Sequence, residues 1–343
     1  MNRNWQDALS DSVAALLATG NEAVVYFVRR DLRGEAVGPA GFMSDLPETR
    51  TILRRQQADG SWRGPPQKTT THPPDHSRLV GTFKAFRILV ERYRLTRALS
   101  PVEKAAEYLL TFQTGAGDIR GFIANQYATY YTGYVLSLLM RAGYAAGDPR
   151  IERGIKWLLD MRQDDGGWTV PILTHYFDGK TMYRLTSSYA EPVEPDRSQP
   201  FSHNATDMVL RAFAAHPTYR QSREAQAAGH LLKSRFFRPD VYSSYKAARY
   251  WTRFVHWWPN LITAMESLSL MGYAADDPDV RKGLRWFFEN RQSDGLWDCT
   301  SEGGSRARTT REAVERVWIS LRICLMLSEF LGTGRGIDAR RTL

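Results

Sequence analysis

One six-residue peptide occurs three times in this chain, as Gln57-Ala-Asp-Gly-Ser-Trp62, Gln163-Asp-Asp-Gly-Gly-Trp168 and Gln292-Ser-Asp-Gly-Leu-Trp297. A signature repeated in this way restricts the chain to architectures that stack one supersecondary unit. The last two copies lie in a longer ungapped match, Gly143 to Trp168 on Gly272 to Trp297, at an offset of 129 with 13 of 26 residues identical.

The unit can be read from its residues. An apolar stretch at helical spacing (Tyr134, Val135, Leu138 and Leu139, or Ile262, Met265, Leu268 and Leu270) ends at Gly143 or Gly272, where a left-handed helix terminus is expected. Asp148-Pro149 or Asp277-Pro278 then supplies a capping carboxylate and a proline at the first helical position. A second helix of about three turns runs into the Asp-Gly turn of the signature, where glycine tolerates positive φ. The result is a helical hairpin ending in a clasp.

Similar patterns predict helices over 77–93, 204–215, 219–237 and 311–331, with 7–30 and 47–57 forming the front end. Ser100-Pro101-Val102-Glu103 reads as a capping box opening a helix that runs to about Gln113. About twelve helices result. Strand signals are nearly absent, apart from Tyr176 to Tyr189, which is compatible with a small β-hairpin. The repeats span nearly all 343 residues, so the expectation is one all-α domain over 1–343. No apolar run reaches the length of a membrane span and the first residues lack a secretory core, which points to a cytoplasmic protein. Two cysteines, Cys299 and Cys324, read as structural thiols. The net charge of +9 favours an anionic partner, a diphosphate or an acidic lipid surface; scattered cations and the lack of a reader motif argue against nucleic acid.

The clasp on tandem helical hairpins resembles the QW motif of the terpenoid cyclase and protein prenyltransferase superfamily, which includes the squalene-hopene cyclases, over about Asp45 to Phe330. The resemblance implies an α/α toroid, a double-layered barrel of about six hairpins, and an isoprenoid substrate. In such a toroid the inner-helix N-termini open on the central cavity, which directs attention to Asp75, His76, Tyr127, His203, Asn204, Asp207, His256, Trp257, Trp258 and Glu312, with Tyr130, Tyr131 and Tyr134 a turn or two further in. The family's cyclisation acid lies in an Asp-x-Asp-Asp-Thr-Ala motif. Here Ser202, Asn204 and Ala205 stand where its three aspartates should be, with Thr206 retained. The acid motif is missing.

Asp207 remains nearby, four residues after His203 and on the same helical face. The two form either an acid/base dyad or a first-turn carboxylate beside a hydrogen-bonding histidine. Asp207, His203, His256 and Asp75 are the catalytic candidates; His76, Tyr127, Tyr130, Tyr131, Asn204, Trp257, Trp258 and Glu312 are the substrate-binding ones. Trp257 and Trp258 either line the cavity, offering ring faces to a developing cation, or pack in the core. Asp276, Asp277 and Asp279 read as a helix cap rather than a metal motif, and Asp298-Cys299 is a poor zinc site because its two residues adjoin the clasp. No metal is expected, and Mg2+ would enter only with a diphosphate substrate. The segment 169–201 is long for a compact helical domain, and reads as a lid or as an excursion.

Three functions follow: a terpenoid cyclase-like enzyme, a lyase or isomerase, acting on a prenyl chain or prenyl diphosphate with a non-standard acid; a non-catalytic toroid serving as binding module or partner subunit; and a carbohydrate-active α/α barrel using two of Asp75, Asp207 and Glu312. The first implies a small hydrophobic isoprenoid partner and peripheral contact with a membrane.

Overall fold

The computed structural model describes residues 3–64, 75–187, 189–242, 246–254, 257–300 and 309–332. Its α-helices, in chain order, are α1 (Arg3–Leu17), α2 (Glu22–Phe27), α3 (Pro47–Leu53), α4 (His76–Arg87), α5 (Ser100–Leu110), α6 (Thr129–Arg141), α7 (Pro149–Asp160), α8 (Gly179–Ser187), α9 (His203–Ala215), α10 (Arg223–Ser234), α11 (Leu261–Leu270), α12 (Pro278–Glu289) and α13 (Thr310–Leu331). One four-residue strand, Phe122–Asn125, precedes α6. The fold is all-α. Two compact units divide the described residues: one holds those of Met1–Ala40, Leu232–Asp240 and Ser244–Arg341, the other those of Gly41–Leu231 and Val241–Ser243. In the first unit α1 and α2 pack on α13.

Each clasp is one hydrogen-bonding pattern. The Trp indole donates to the carbonyl ten residues back: Trp62 to Ile52 (2.7 Å), Trp168 to Leu158 (2.6 Å) and Trp297 to Phe287 (2.6 Å). The same tryptophan's backbone N–H donates to a hydroxyl on a following helix: Thr82 (3.0 Å), Thr206 (2.9 Å) and Ser320 (2.9 Å). The clasp thus ties one helix end to the next helix, leaving a large ring buried and a polar backbone group satisfied. Its glycine is obligatory. Gly60 has φ +87°, and an added Cβ would lie 2.4 Å from the Lys104 carbonyl oxygen.

The structure contains a fourth clasp that the sequence signature does not reveal. Gln113 to Ile119 repeats the geometry of Gln56 to Trp62: Ile119 N–H donates to Thr132 Oγ1 at 3.0 Å, and Gly117 has φ +115° against the Arg153 carbonyl. The Gln113 amide donates to Gly117 O and Arg150 O, as Gln56 does to Gly60 O and Pro101 O. Isoleucine has replaced tryptophan, so the aromatic marker is absent while the turn persists.

Several expected helix boundaries shift. The front segment 7–30 breaks at Gly20 (φ +67°), after which Asn21 caps α2 by accepting from Val24 N–H. The segment 219–237 is a 3-10 turn, Tyr219–Gln221, followed by α10. The expected Ser100–Glu103 capping box does not form, because the cap position falls on Leu99 and Glu103 pairs with Arg97 at 2.8 Å. Asp148 and Asp277 do cap α7 and α12 through their side chains. Tyr176 to Tyr189 is not a β-hairpin. Asp178 accepts from Thr181 N–H at 2.8 Å and nucleates α8, whose Leu185 is its buried anchor.

Candidate functional site

Helix α9 sets the centre of the second unit: twelve of its thirteen residues, His203 to Ala214, are buried. A helix buried on every side must find a neighbour without bulk, and Gly133 of α6 provides the gap. A Cβ at Gly133 would lie 2.6 Å from Val209 Cα, so the two backbones cross in direct contact. Ser202 caps α9 by accepting from Ala205 N–H, and Thr206 is taken up by the clasp, accepting from Trp168 N–H and donating to Trp168 O.

That crossing places an aromatic wall beside a line of buried and half-buried polar groups. Phe122 stacks on Tyr131 with centroids 3.9 Å apart, Phe83 meets Phe122, Tyr131 and Tyr134 edge-on at 5.3–5.5 Å, and Tyr130 lies 4.5 Å from Tyr131. Tyr130 and Tyr131 each keep part of their surface accessible, yet burial raises both phenol pKa values.

Behind the wall, Asp207 is fully buried and pairs with Arg211 at 3.4 Å. The Arg211 guanidinium lies 4.4 Å above the Tyr134 ring, and the Tyr134 hydroxyl donates to Glu91 at 2.7 Å. Arg87 approaches Glu91 at 3.7 Å. Burial first, and the Glu91 charge second, push the Tyr134 phenol up. Glu91 lies on a π-helical turn, Ile88–Arg92, that continues α4. Three helices therefore contribute to one polar line of two cations and two carboxylates. Sequence reasoning named Asp207 and Tyr134 but not Arg211, Glu91, Phe83 or Phe122. The i,i+4 spacing of Asp207 and Arg211 was a readable sign; Glu91 offered none, because the π-turn resets its direction.

The other candidates are dispersed. Asp75 is exposed and pairs with Arg78 at 2.9 Å, while His76 Nδ1 donates to Gly121 O at 2.9 Å. His203 and Asn204 are buried at the start of α9. Tyr127 donates to Glu194 at 2.8 Å beneath the Arg120 guanidinium, so it holds the 169–201 segment. Gln126 does the same, donating to Leu185 O and Glu191 O and accepting from Val193 N–H. In the first unit Trp257 and Trp258 meet edge-on at 5.4 Å, and His256 lies outside the described residues. Glu312 forms a capping box with Thr309, a Thr-x-x-Glu pattern that the sequence displays. Asp298 pairs with Arg316 at 2.8 Å, the guanidinium that also grips Asp294 of the clasp, and burial pushes the Cys299 thiol up to about 11. Among the described residues no three His, Cys, Asp or Glu side chains converge as a metal site, and no helix is long and apolar enough to cross a membrane.

No family model matches the chain. Among solved structures it is similar to a protein from Actinoplanes, at 13% identity and a TM-score of 0.46, covering 96% of this chain and 90% of that one. It is also similar to variants of the type II terpene cyclase MstE from Scytonema. One, in complex with its product merosterolic acid A, matches at 12% identity and a TM-score of 0.39 over 97% of this chain and 100% of that chain. Another, in complex with the substrate geranylgeranyl dihydroxybenzoate, matches at 12% identity and a TM-score of 0.40 over 96% and 99%.

Proposed function

We propose that this chain is an isoprenoid-processing enzyme of the terpenoid cyclase type, holding a prenyl chain or prenyl diphosphate against the wall of Tyr130, Tyr131 and Phe122. The observation that carries this reading is the pairing of accessible aromatic surface with desolvated phenols at the start of α6. Aromatic ring faces bind a polyene by burial and stabilise a developing carbocation through their quadrupoles. Asp207 is the fully buried carboxylate of the network, and in this reading it serves as the acid after release from Arg211, while Glu91 and Tyr134 hold Arg211 in place. Mg2+ accompanies the reading only as the counter-ion of a diphosphate.

The same Asp207–Arg211 pair favours a second reading, a binding module without turnover, because a buried ion pair is also a structural brace. Incubation with squalene, farnesyl diphosphate and geranylgeranyl diphosphate, followed by gas chromatography with mass detection and by tryptophan-quenching titration, separates the two. Cyclised product that disappears in Asp207→Asn, with binding weakened roughly tenfold in Tyr131→Ala, supports the enzyme. Binding without product supports the module. Neither binding nor product ends the isoprenoid reading.

A further inference from the structure

Helices α1, α11, α12 and α13 line a cleft of about 1200 Å³ that lies wholly within the first unit. That volume is ample for a small molecule. The periodicity of α12 sets one wall. Val280, Gly283, Leu284 and Phe287 form its buried stripe, and the adjoining stripe of Arg281, Arg285 and Phe288 faces the cleft. Trp5 of α1 lies flat on Phe288, with ring centroids 4.6 Å and planes 14° apart, and the half-buried Tyr273 adds a third ring to the lining.

Six charged side chains line the cleft, three of each sign. Arg291 is taken by Asp11 at 3.6 Å, and Glu329 also has a partner in the fold. The other four, Asp276, Arg281, Arg285 and Glu289, are exposed, and their side chains make no hydrogen bond or ion pair among the described residues. The neighbouring Asp277 and Asp279 differ, since Lys233 holds both, at 2.8 and 3.3 Å. Arg281 and Arg285 stand one turn apart, a like-charge spacing that is unfavourable until one anion bridges both. The two uncommitted carboxylates flank them, Asp276 before the first turn of α12 and Glu289 at its last position. A bare anion meets repulsion from those carboxylates, and a bare cation meets it from the guanidiniums. A phosphate joined to a hydroxylated ring satisfies both, because its phosphate oxygens accept from guanidiniums while its hydroxyls donate to carboxylates.

We propose that this cleft binds a phosphate ester of a hydroxylated ring, with Arg281 and Arg285 on the phosphate, Asp276 and Glu289 on the hydroxyls, and Tyr273 and Phe288 against the ring system. The source is either a nucleotide or a sugar phosphate, which share this chemistry. The site does not rest on the isoprenoid reading, since none of its residues belongs to the wall of Tyr130, Tyr131 and Phe122.

The full chain is titrated by calorimetry with adenosine diphosphate, glucose 6-phosphate and inorganic pyrophosphate. The double variant Arg281→Gln, Arg285→Gln removes the phosphate donors; Arg50→Gln, Arg54→Gln removes the same charge from exposed arginines elsewhere, and circular dichroism checks that every variant folds. The expected result is that one ester binds at least about tenfold more tightly than pyrophosphate and loses at least about tenfold in the first variant only. Whether that ester is adenosine diphosphate or glucose 6-phosphate identifies the source. Glu289→Gln should weaken the ester and strengthen pyrophosphate, a pair of opposite signs that a purely structural role for Glu289 would not produce. The proposal is overturned by binding of neither ester, by pyrophosphate binding as tightly as the ester, by ester affinity that the first variant leaves unchanged or that both double variants lower equally, or by a Glu289→Gln protein that binds the ester no more weakly than the wild type.

Discussion

Replacing Gly133 by alanine sets two opposed effects against one another. In an isolated helix Ala is favoured over Gly by about 1 kcal/mol, so propensity alone predicts a more stable protein. At this crossing the added Cβ would fall 2.6 Å from Val209 Cα and 3.0 Å from Met208 O, both backbone atoms that no rotamer change can move. Relief requires α6 and α9 to separate, which loosens the packing of twelve buried residues on α9. Overpacking of this kind costs roughly 1–3 kcal/mol and more where the backbone itself must shift, so the net expectation is a loss of about 2 kcal/mol or more. At roughly 2 °C per kcal/mol for a chain of this size, Tm falls by about 4 °C or more. Two controls bracket the effect. Gly283→Ala meets the flexible Met265 side chain at 3.0 Å and should be near neutral, and Gly179→Ala meets nothing within 4 Å and should be neutral or stabilising. The three melting curves, read by circular dichroism, should order as Gly133→Ala lowest. A Gly133→Ala protein as stable as the wild type would refute the inferred backbone contact.

Thr206→Val is nearly isosteric but strands the buried Trp168 N–H, so it should cost about 1–3 kcal/mol in urea unfolding while Thr206→Ser costs much less; equal losses would assign the effect to packing instead. The hydrogen bond from the Arg150 side chain holds the Asp148 carboxyl below its usual range despite burial, so this stabilisation is present above about pH 4 and fades as pH falls through the native pKa. Asp148→Asn keeps a capping side chain and should lose only that charge-linked part, giving a shallower acid limb in a series of melts from pH 7 to pH 3. Burial raises both cysteine thiols, Cys299 to about 11, so iodoacetamide at pH 8 should label neither in the native protein and both after unfolding; stoichiometric native labelling would contradict the described burial.

Much of the fold was legible because its determinants are local. The Asp148-Pro149 and Asp277-Pro278 caps, the Asp-Gly turns and the clasp tryptophans act through residues a few positions apart, and the helices fall close to where those signals put them. The fourth clasp escaped because its tryptophan is Ile119, although Gly117 and Gln113 carry the same backbone geometry. The capping-box pattern at Ser100 does not form its box, whereas the one at Thr309–Glu312 does and so occupies Glu312, a residue whose place at a helix start also suggests substrate contact. Short motifs of this kind compete with tertiary partners, as Arg97 shows by taking Glu103.

The sequence by itself determined that this is a repeated helical-hairpin protein whose clasp aspartates and tryptophans serve the backbone, because hydrophobic period, caps and turns are encoded within one or two turns of chain. Only the tertiary structure decided which polar groups meet. Glu91, Tyr134, Arg211 and Asp207 come from three helices and join because Gly133 lets two of them touch and a π-turn redirects the third. The meeting of distant side chains depends on helix crossing and register, and no local stretch of sequence contains that information.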